Sequence, residues 1–433
     1  MEVIFITGTT EKALIPEELK KEFEELEKIK RQKDFEILRD HKGNYISTSK
    51  NFRNIILRHS ADFGNIRFNQ LKNSPEKTVD SVREIWTDTD DARLRTFIEH
   101  NYGIYNKQKF DDGFREYLYM NSYHPIREKI KSLQWDGEHR LCYFLTKWMK
   151  GENVPYTMEV SRLIFAGGIH RIFNPGCKFD DMPVLIGTHQ GEGKSTIVRW
   201  LAMSDEYFTE VTEFEGQKAI EAIEGAWICE VSELLAMTKS KDVEAVKSFI
   251  TRQNDRYRMP FDKRVTDHKR QCIFIGTTNK EQFLTDKTGN RRFYPVRVRQ
   301  TAYELFEHKD EVKAYIEQCW AEAYELYKQN RLSPYADVTM KEVIRKRQLD
   351  ATQDDYRIGM IRDFLESKSE VCIPMLWYEA LKMRSDIKPT RKDSNEIALI
   401  MQGMDGWERK DDTTKSFKNY GTQRYWKKEI VEL

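Results

Sequence analysis

The sequence predicts a mixed α/β fold built on a mainly parallel sheet. Three short apolar segments, at residues 183–186, 226–229 and 272–275, have the length and composition of buried strands. Helical patterns lie between them, for example at residues 243–250. Strands that alternate with helices favour a parallel sheet covered on both faces. Hydrophobic residues make up 39% of the 433-residue chain, a share that excludes general disorder.

The first 150 residues are predicted to form a mostly helical domain. Glu and Lys alternate at helical spacing over residues 17–26, which is typical of a solvated surface helix. Apolar residues then recur at positions i, i+3 and i+4, first at Phe52, Ile55 and Ile56 and later at Leu94, Phe97 and Ile98.

Residues 151–335 are then expected to form the α/β core and residues 336–433 a C-terminal domain. Beyond Pro334, periodic segments at 358–365, 375–383 and 397–401 predict three short helices. The end of the chain, which contains Gly, Asp and aromatic residues, predicts a small hairpin. Three helices followed by a hairpin are typical of a winged-helix module.

Charge and cysteine content restrict the classes of protein. The chain has 72 Lys and Arg against 71 Asp and Glu, so any site for a polyanion must be local. Six scattered cysteines without a Cys-x-x-Cys pair, and no predicted leader, indicate reduced thiols in the cytoplasm. No apolar run reaches roughly 18 residues, so we expect no membrane span.

The strongest chemical signal is the glycine-rich turn at residues 187–196, between a predicted strand and a predicted helix. Backbone N–H groups and the positive end of a helix dipole favour an anion there. In a mononucleotide-binding loop, Lys194 reaches the β- and γ-phosphates and the Ser195 hydroxyl ligates Mg²⁺. The pattern departs from the usual one, because Thr188 stands where a glycine is expected and Gly187 precedes it. We therefore expect an altered entry angle, and a chance glycine-rich turn is the alternative.

Polar residues follow the other two predicted strands. Glu230 is expected at a strand end beside the loop, where it can hold the metal. Glu233 can polarise the attacking water or, alternatively, can be a carboxylate favoured by a helix start. Asn279 can bind the γ-phosphate or the water, or can simply end its strand.

Two adjacent arginines, Arg291 and Arg292, follow a turn downstream of the third strand. Their planar guanidinium groups can clamp phosphate oxygens, either within the chain or across a subunit boundary. An exposed, ion-paired doublet is the alternative.

These motifs, taken in order, resemble the virulence-associated E family. The resemblance covers roughly residues 85–300 and is carried by NSYHPIR (121–127), WDG (135–137), NPGCK (174–178), QGEGKST (190–196), EVSEL (230–234), DRYR (255–258), GTTN (276–279) and TGNRR (288–292). Members are regarded as superfamily 3-like replicative helicases of the AAA+ class from phages and mobile elements, often fused to a primase. No primase polymerase of adequate length precedes the motifs, so we expect the helicase half alone.

The resemblance implies roles for the site residues and implies ATP and Mg²⁺ as cofactors. Lys194 and Ser195 would be the Walker A pair, Glu230 and Glu233 the Walker B acid and catalytic carboxylate, and Asn279 sensor 1. Arg291 and Arg292 would supply an arginine finger or a second sensor, and Ser195 and Glu230 would hold the metal. The loop residues that would bind the nucleotide are Gln190, Gly191, Glu192, Gly193, Lys194, Ser195 and Thr196.

Two further segments are candidates for nucleic-acid contact. In superfamily 3 helicases a hairpin before sensor 1 grips DNA, and the matching segment here contains Lys263, Arg264, His268 and Lys269. A solvated hairpin is the alternative. Basic residues also mix with Tyr425 and Trp426 near the C-terminal end, where a nucleic-acid surface and a packed core are both open.

The sequence therefore predicts an ATP-dependent DNA helicase or translocase of a phage or mobile-element replication system. We expect a homo-oligomeric, hexameric ring that acts on single-stranded or forked DNA, together with a separate primase or initiator. The alternatives are an AAA+ ATPase that loads or remodels a replication protein, and a nucleotide-dependent DNA-binding initiator that does not unwind DNA.

Overall fold

The computed structural model describes residues 34–189, 191–232, 240–257, 265–284, 290–352, 356–402, 404 and 406–428. The described chain is mixed α/β, with many helices and a five-stranded parallel sheet at its centre. The predicted fold class is confirmed at this level. None of the described helices is long and apolar enough to cross a lipid bilayer.

The N-terminal part combines three helices with a small sheet. Its elements are α1 (Ser49–His59), β1 (Arg67–Asn69), β2 (Ser74–Val79), β3 (Val82–Ile85), α2 (Asp88–Tyr102), α3 (Lys107–Met120) and β4 (Ser122–Tyr123). The sheet has the order β3-β2-β1-β4. Helix α2 begins at a capping box, in which Thr87 and Asp90 satisfy each other's backbone N–H groups.

The core of this part contains the periodic apolar residues, for Phe52, Ile55 and Ile56 are all buried. The sheet was not predicted. Its second strand reads SPEKTV and turns the carboxylate Glu76 inward instead of an apolar side chain. Without apolar alternation, the usual sequence signal of a strand is absent.

The middle of the chain alternates helices and strands. Its elements are α4 (Pro125–Ser132), α5 (Phe144–Met149), α6 (Pro155–Phe173), β5 (Met182–Ile186), α7 (Lys194–Leu201), β6 (Phe208–Glu210), α8 (Gly216–Ile223), β7 (Ile228–Val231), α9 (Ser240–Thr251), β8 (Asn254–Tyr257), β9 (Thr266–Lys269), β10 (Ile273–Thr278), β11 (Phe293–Arg297), α10 (Ala302–Glu307), α11 (Lys309–Lys328) and α12 (Lys341–Asp350).

The central sheet has the order β11-β5-β10-β7-β6, and all neighbouring strands are parallel. Successive residues of a strand enter different cores, so Leu185 packs into one hydrophobic cluster and Val184 into another. Strands β5, β7 and β10 correspond to the three predicted segments. The edge strands were missed, because β6 is short and half-exposed and β11 contains a proline.

One face of this sheet is covered by α6 and α11, which approach each other closely at Gly168. A Cβ atom there would lie 2.4 Å from the Trp320 ring, so only glycine fits. The hydrophobic cluster on this face extends from Leu71 to Ile344. This cluster includes residues on both sides of the domain boundaries proposed after residues 150 and 335. Those boundaries stay predictions.

The C-terminal part contains α13 (Tyr356–Leu365), β12 (Glu370–Cys372), α14 (Ile373–Met375), which continues as a π-helix over Leu376–Ala380, α15 (Arg391–Gln402), β13 (Trp407–Phe417) and β14 (Gly421–Lys428). The strands form an antiparallel sheet in the order β12-β14-β13. Trp426 is buried in the core of this part, which decides between the two alternatives left open for that residue.

Candidate nucleotide site

The glycine-rich turn connects the carboxyl end of β5 to the first turn of α7. Gly191 and Gly193 have φ values of +85° and +70°, which disfavour residues with a Cβ atom. Lys194 and Ser195 begin the helix and Thr196 follows in its first turn. Gln190 lies outside the described residues. The turn therefore has the strand-loop-helix context that its sequence predicts.

Gly187 explains the displaced glycine in the loop pattern. A Cβ atom at this position would lie 1.6 Å from the Glu192 carboxylate and 2.3 Å from Lys194 Nζ. The loop folds back over the end of β5, so a side chain at position 187 would displace the Glu192–Lys194 pair. This close approach is a property of the folded loop, and the sequence pattern alone does not predict it.

The carboxylate of Glu192 is surrounded by donors of the loop. Its Oε1 accepts hydrogen bonds from the backbone N–H groups of Thr188 and His189, at 3.0 and 3.1 Å. Its Oε2 lies 3.2 Å from Lys194 Nζ. Burial would raise the pKa of Glu192, but these hydrogen bonds outweigh it and lower the pKa below its ordinary value. The loop thus has donors that stabilise a buried anion.

Lys194 connects the loop to the neighbouring strand. Its Nζ donates to Asn279 Oδ1 at 2.7 Å, and Asn279 directly follows β10. Strands β5 and β10 are adjacent, so their carboxyl ends meet at the same sheet edge. The structure therefore brings Lys194 and Asn279 together, as the sequence predicts for the end of the third predicted strand.

Glu230 is the buried acid of the site, with 2% of its surface exposed. Its Oε1 accepts hydrogen bonds from the hydroxyls of Ser195 and Thr277, at 2.6 and 2.7 Å. Burial raises the pKa of Glu230, and these hydrogen bonds offset only part of the rise. Thr277 was not predicted, although a hydroxyl residue in a fully buried strand is a usable signal. Glu233 lies outside the described residues.

The donor set at Ser195 and Glu230 suits a hard cation. Mg²⁺ prefers oxygen ligands and usually keeps several waters, so one hydroxyl and one carboxylate are sufficient protein ligands. Among the described residues, no cluster of three or more His, Cys, Asp or Glu could hold a metal. The chemistry of the two oxygens therefore fits Mg²⁺ shared with phosphate and water.

Comparison with known proteins identifies the family. A model of the virulence-associated protein E-like domain matches residues 130–356, which is more than half of the chain. This chain belongs to the virulence-associated protein E-like family. The resemblance noted in the sequence is confirmed, and no curated protein matches the chain.

Solved structures of the NrS-1 C-terminal region are similar to this family member. One apo structure of residues 305–718 is 12% identical with a TM-score of 0.46, and the match covers 86% of this chain and 97% of that chain. An A-form apo structure is 12% identical with a TM-score of 0.48, and the match covers 88% and 99%.

The arginine doublet of this family member lies at the opposite sheet edge from the loop. Arg291 and Arg292 precede β11, whose first residue pairs with Met182, the first residue of β5. From Met182 to the end of β5 at Ile186 there are four residue steps, which correspond to about 13 Å along the strand. The structure therefore places the doublet at the far end of β5 from the loop of its own chain, and the roles predicted for Arg291 and Arg292 stay predictions.

The two arginines differ in their surroundings. Arg292 contacts Thr251 Oγ1 at 3.0 Å and Asp180 Oδ2 at 3.3 Å, so it is held by its own chain. Arg291 is exposed and makes no ion pair with any described residue. Arg297, which was not predicted, pairs with Ile186 in register at the loop edge and lies 3.4 Å from Glu281.

The hairpin before β10 is formed by β8 and β9. A buried ion pair fixes its base, with Arg270 Nε 2.6 Å from Asp255 Oδ2. The His268 ring stacks on Tyr257 at 4.0 Å, whereas Lys269 is exposed. Lys263 and Arg264 lie outside the described residues. Of the four residues predicted to contact DNA, the structure describes two. Lys269 is exposed to solvent, and His268 packs against the Tyr257 ring.

Proposed function

We propose that this chain is an ATP- and Mg²⁺-dependent ATPase of a phage or mobile-element replication system, which works as a homo-oligomeric ring and moves along DNA. The observation that carries the proposal is the meeting of Lys194, Asn279, Ser195 and Glu230 at one sheet edge. Three separate strand ends contribute these groups. The family resemblance supports the replication setting.

The strand order supports an AAA+ core. The loop strand β5 lies beside β10, which carries Asn279, and β10 lies beside β7, which carries Glu230. Lys194 would neutralise the β- and γ-phosphates, and Asn279 would orient the γ-phosphate or the attacking water. Ser195 and Glu230 would hold Mg²⁺, which when bound stabilises the charge that develops on the phosphates.

A ring would give the arginine doublet a role. Arg291 is exposed at the edge opposite to its own loop, so a neighbouring subunit is the partner whose phosphates it could reach. We assign Arg291 rather than Arg292 as the residue that acts in trans.

The C-terminal order of helices and strands supports a winged-helix module in addition to the ATPase core.

The proposal is tested by steady-state ATP hydrolysis at increasing protein concentration, with and without single-stranded DNA. We expect turnover per protomer to rise with protein concentration, because a neighbour completes the site, and to rise further with DNA. Chelation of Mg²⁺ with EDTA should abolish ATP turnover. Absence of turnover at every concentration would contradict the proposal.

Strand displacement on forked DNA separates this function from its alternatives. Displacement that requires ATP supports a helicase. Hydrolysis without displacement favours an ATPase that loads or remodels another replication protein, and DNA binding with very slow hydrolysis favours an initiator. A hexamer, a separate primase and single-stranded DNA in the ring channel are parts of the same proposal.

Glu192 is expected to oppose nucleotide binding. Its carboxylate uses the donors of Thr188, His189 and Lys194 that a phosphate needs, and two anions repel each other. Glu192→Gln should therefore bind ATP about fivefold more tightly, since a gain of about 1 kcal/mol is typical of one relieved interaction. Titration calorimetry measures the change. Glu215→Gln, an exposed carboxylate at the start of α8, is the control, and weaker binding by Glu192→Gln would contradict the competition.

A further inference from the structure

Helix α15 in the C-terminal part presents a polar, cationic stripe to solvent. Arg391, Asn395 and Leu399 follow at four-residue spacing on one face, and Lys388 precedes them. All four are exposed. Arg391 and Lys388 make no ion pair with any residue that the structure describes. The stripe is therefore a surface with unneutralised positive charge.

The acidic residues of α15 are engaged elsewhere. Asp393 Oδ2 accepts hydrogen bonds from the backbone N–H and the hydroxyl of Thr390, at 2.9 and 2.6 Å. Glu396 Oε2 accepts a hydrogen bond from Arg357 at 2.8 Å. Asp393 thus closes the N-terminal cap, and Glu396 joins α15 to α13. Neither carboxylate neutralises Arg391.

The opposite face of α15 is fixed in the local core. Ile397, Ile400 and Met401 are buried in a cluster with Trp377 and Trp426. The indole N–H of Trp377 donates to the carbonyl of Ile387 at 2.8 Å, just before Lys388. The stripe is therefore presented by a helix whose position is set by packing, as recognition by a helix requires.

The hairpin β13–β14 adds further cations. Its exposed residues without an ion pair in the described chain are Lys418, Arg424, Lys427 and Lys428. Residues 382–428 contain twelve Lys and Arg against seven Asp and Glu, although the whole chain is nearly neutral at +1. The positive charge of the protein is thus concentrated locally in this part.

We propose that helix α15, Lys388 before it and the hairpin β13–β14 bind double-stranded DNA, with α15 in the major groove and the hairpin cations on the phosphate backbone. Arg and Asn are the side chains that pair with guanine and adenine edges there, and Leu399 can contact a thymine methyl group. Single strands are held chiefly by aromatic stacking, and the stripe has no aromatic residue. This site shares no residue with the phosphate loop, so we expect it to bind duplex DNA without ATP.

The test uses the full chain without nucleotide and measures fluorescence anisotropy with a labelled duplex and a labelled single strand of the same length. The double variant Lys388→Ala/Arg391→Ala should raise the dissociation constant for duplex DNA about tenfold. The slope of log affinity against log salt should become shallower, because two fewer cations then displace counterions from the duplex. Affinity for the single strand should stay unchanged.

The matched control is Arg345→Ala/Lys346→Ala, which removes two adjacent exposed cations from α12 and should alter neither affinity. Thermal melting verifies that both double variants fold. Unchanged duplex affinity in Lys388→Ala/Arg391→Ala would overturn the proposal, and so would an equal loss for both forms of DNA. Lys194→Ala should bind the duplex normally, so a failure of the ATPase proposal is distinguishable from a failure of this one.

Discussion

Replacing Lys194 by alanine is expected to weaken ATP binding roughly 10- to 100-fold, since one hydrogen bond to a charged group contributes about 1.5–3 kcal/mol. Hydrolysis should fall further, by roughly 10²–10³-fold, because a lysine at the phosphates also stabilises the transition state. The expectation follows from the position of Nζ between Glu192 and Asn279, at 3.2 and 2.7 Å. Fluorescent-nucleotide titration and single-turnover hydrolysis measure the two effects separately.

Lys194→Met separates charge from packing, because methionine keeps much of the aliphatic length and fills the buried position without the ammonium group. Both variants should lose ATP affinity to a similar extent if the charge is decisive. Lys218→Ala removes an exposed lysine of α8 and should leave binding and turnover unaltered. Normal turnover in Lys194→Ala would disprove the assignment of the phosphate site.

The central strands and their site residues were predictable because continuous apolar runs locate buried strands. Once β5, β7 and β10 are located, Glu230 and Asn279 must lie near the same edge, since parallel strands end together. The hydrogen bond from Thr277 to Glu230 and the close approach at Gly187 depend on side-chain geometry. Those contacts form only after the strands have paired.

The position of the arginine doublet could not be predicted, because the strand that follows it was missed in the sequence. Strand β11 was not predicted, because Pro295 interrupts its apolar pattern. Without that strand, the sequence does not reveal whether Arg291 lies at its start or its end. The start of β11 lies at the end of the sheet away from the loop, which favours action of Arg291 on a neighbouring subunit.

Replacing Glu230 by glutamine is expected to retain ATP binding and to lower turnover by roughly 10²–10³-fold. The amide oxygen of glutamine can still accept the hydrogen bonds of Ser195 and Thr277, so the geometry is retained while the negative charge is lost. A neutral ligand holds Mg²⁺ poorly. Glu230→Gln should therefore bind ATP normally but hydrolyse it slowly, whereas Lys194→Ala should lose both ATP binding and turnover.

Stability provides an independent measurement on the same variant. Burial raises the pKa of Glu230, so the folded state holds the proton more tightly than the unfolded state. Stability then decreases as the pH rises from the ordinary pKa of glutamate through the raised pKa of the folded state. Glu230→Gln should accordingly melt at a higher temperature at neutral pH, and the difference should shrink in acid. Glu215→Gln, which changes an exposed carboxylate at the start of α8, should show neither effect. A lower melting temperature together with full turnover would mean that Glu230 is a structural residue, since a buried acid that serves catalysis is expected to cost stability.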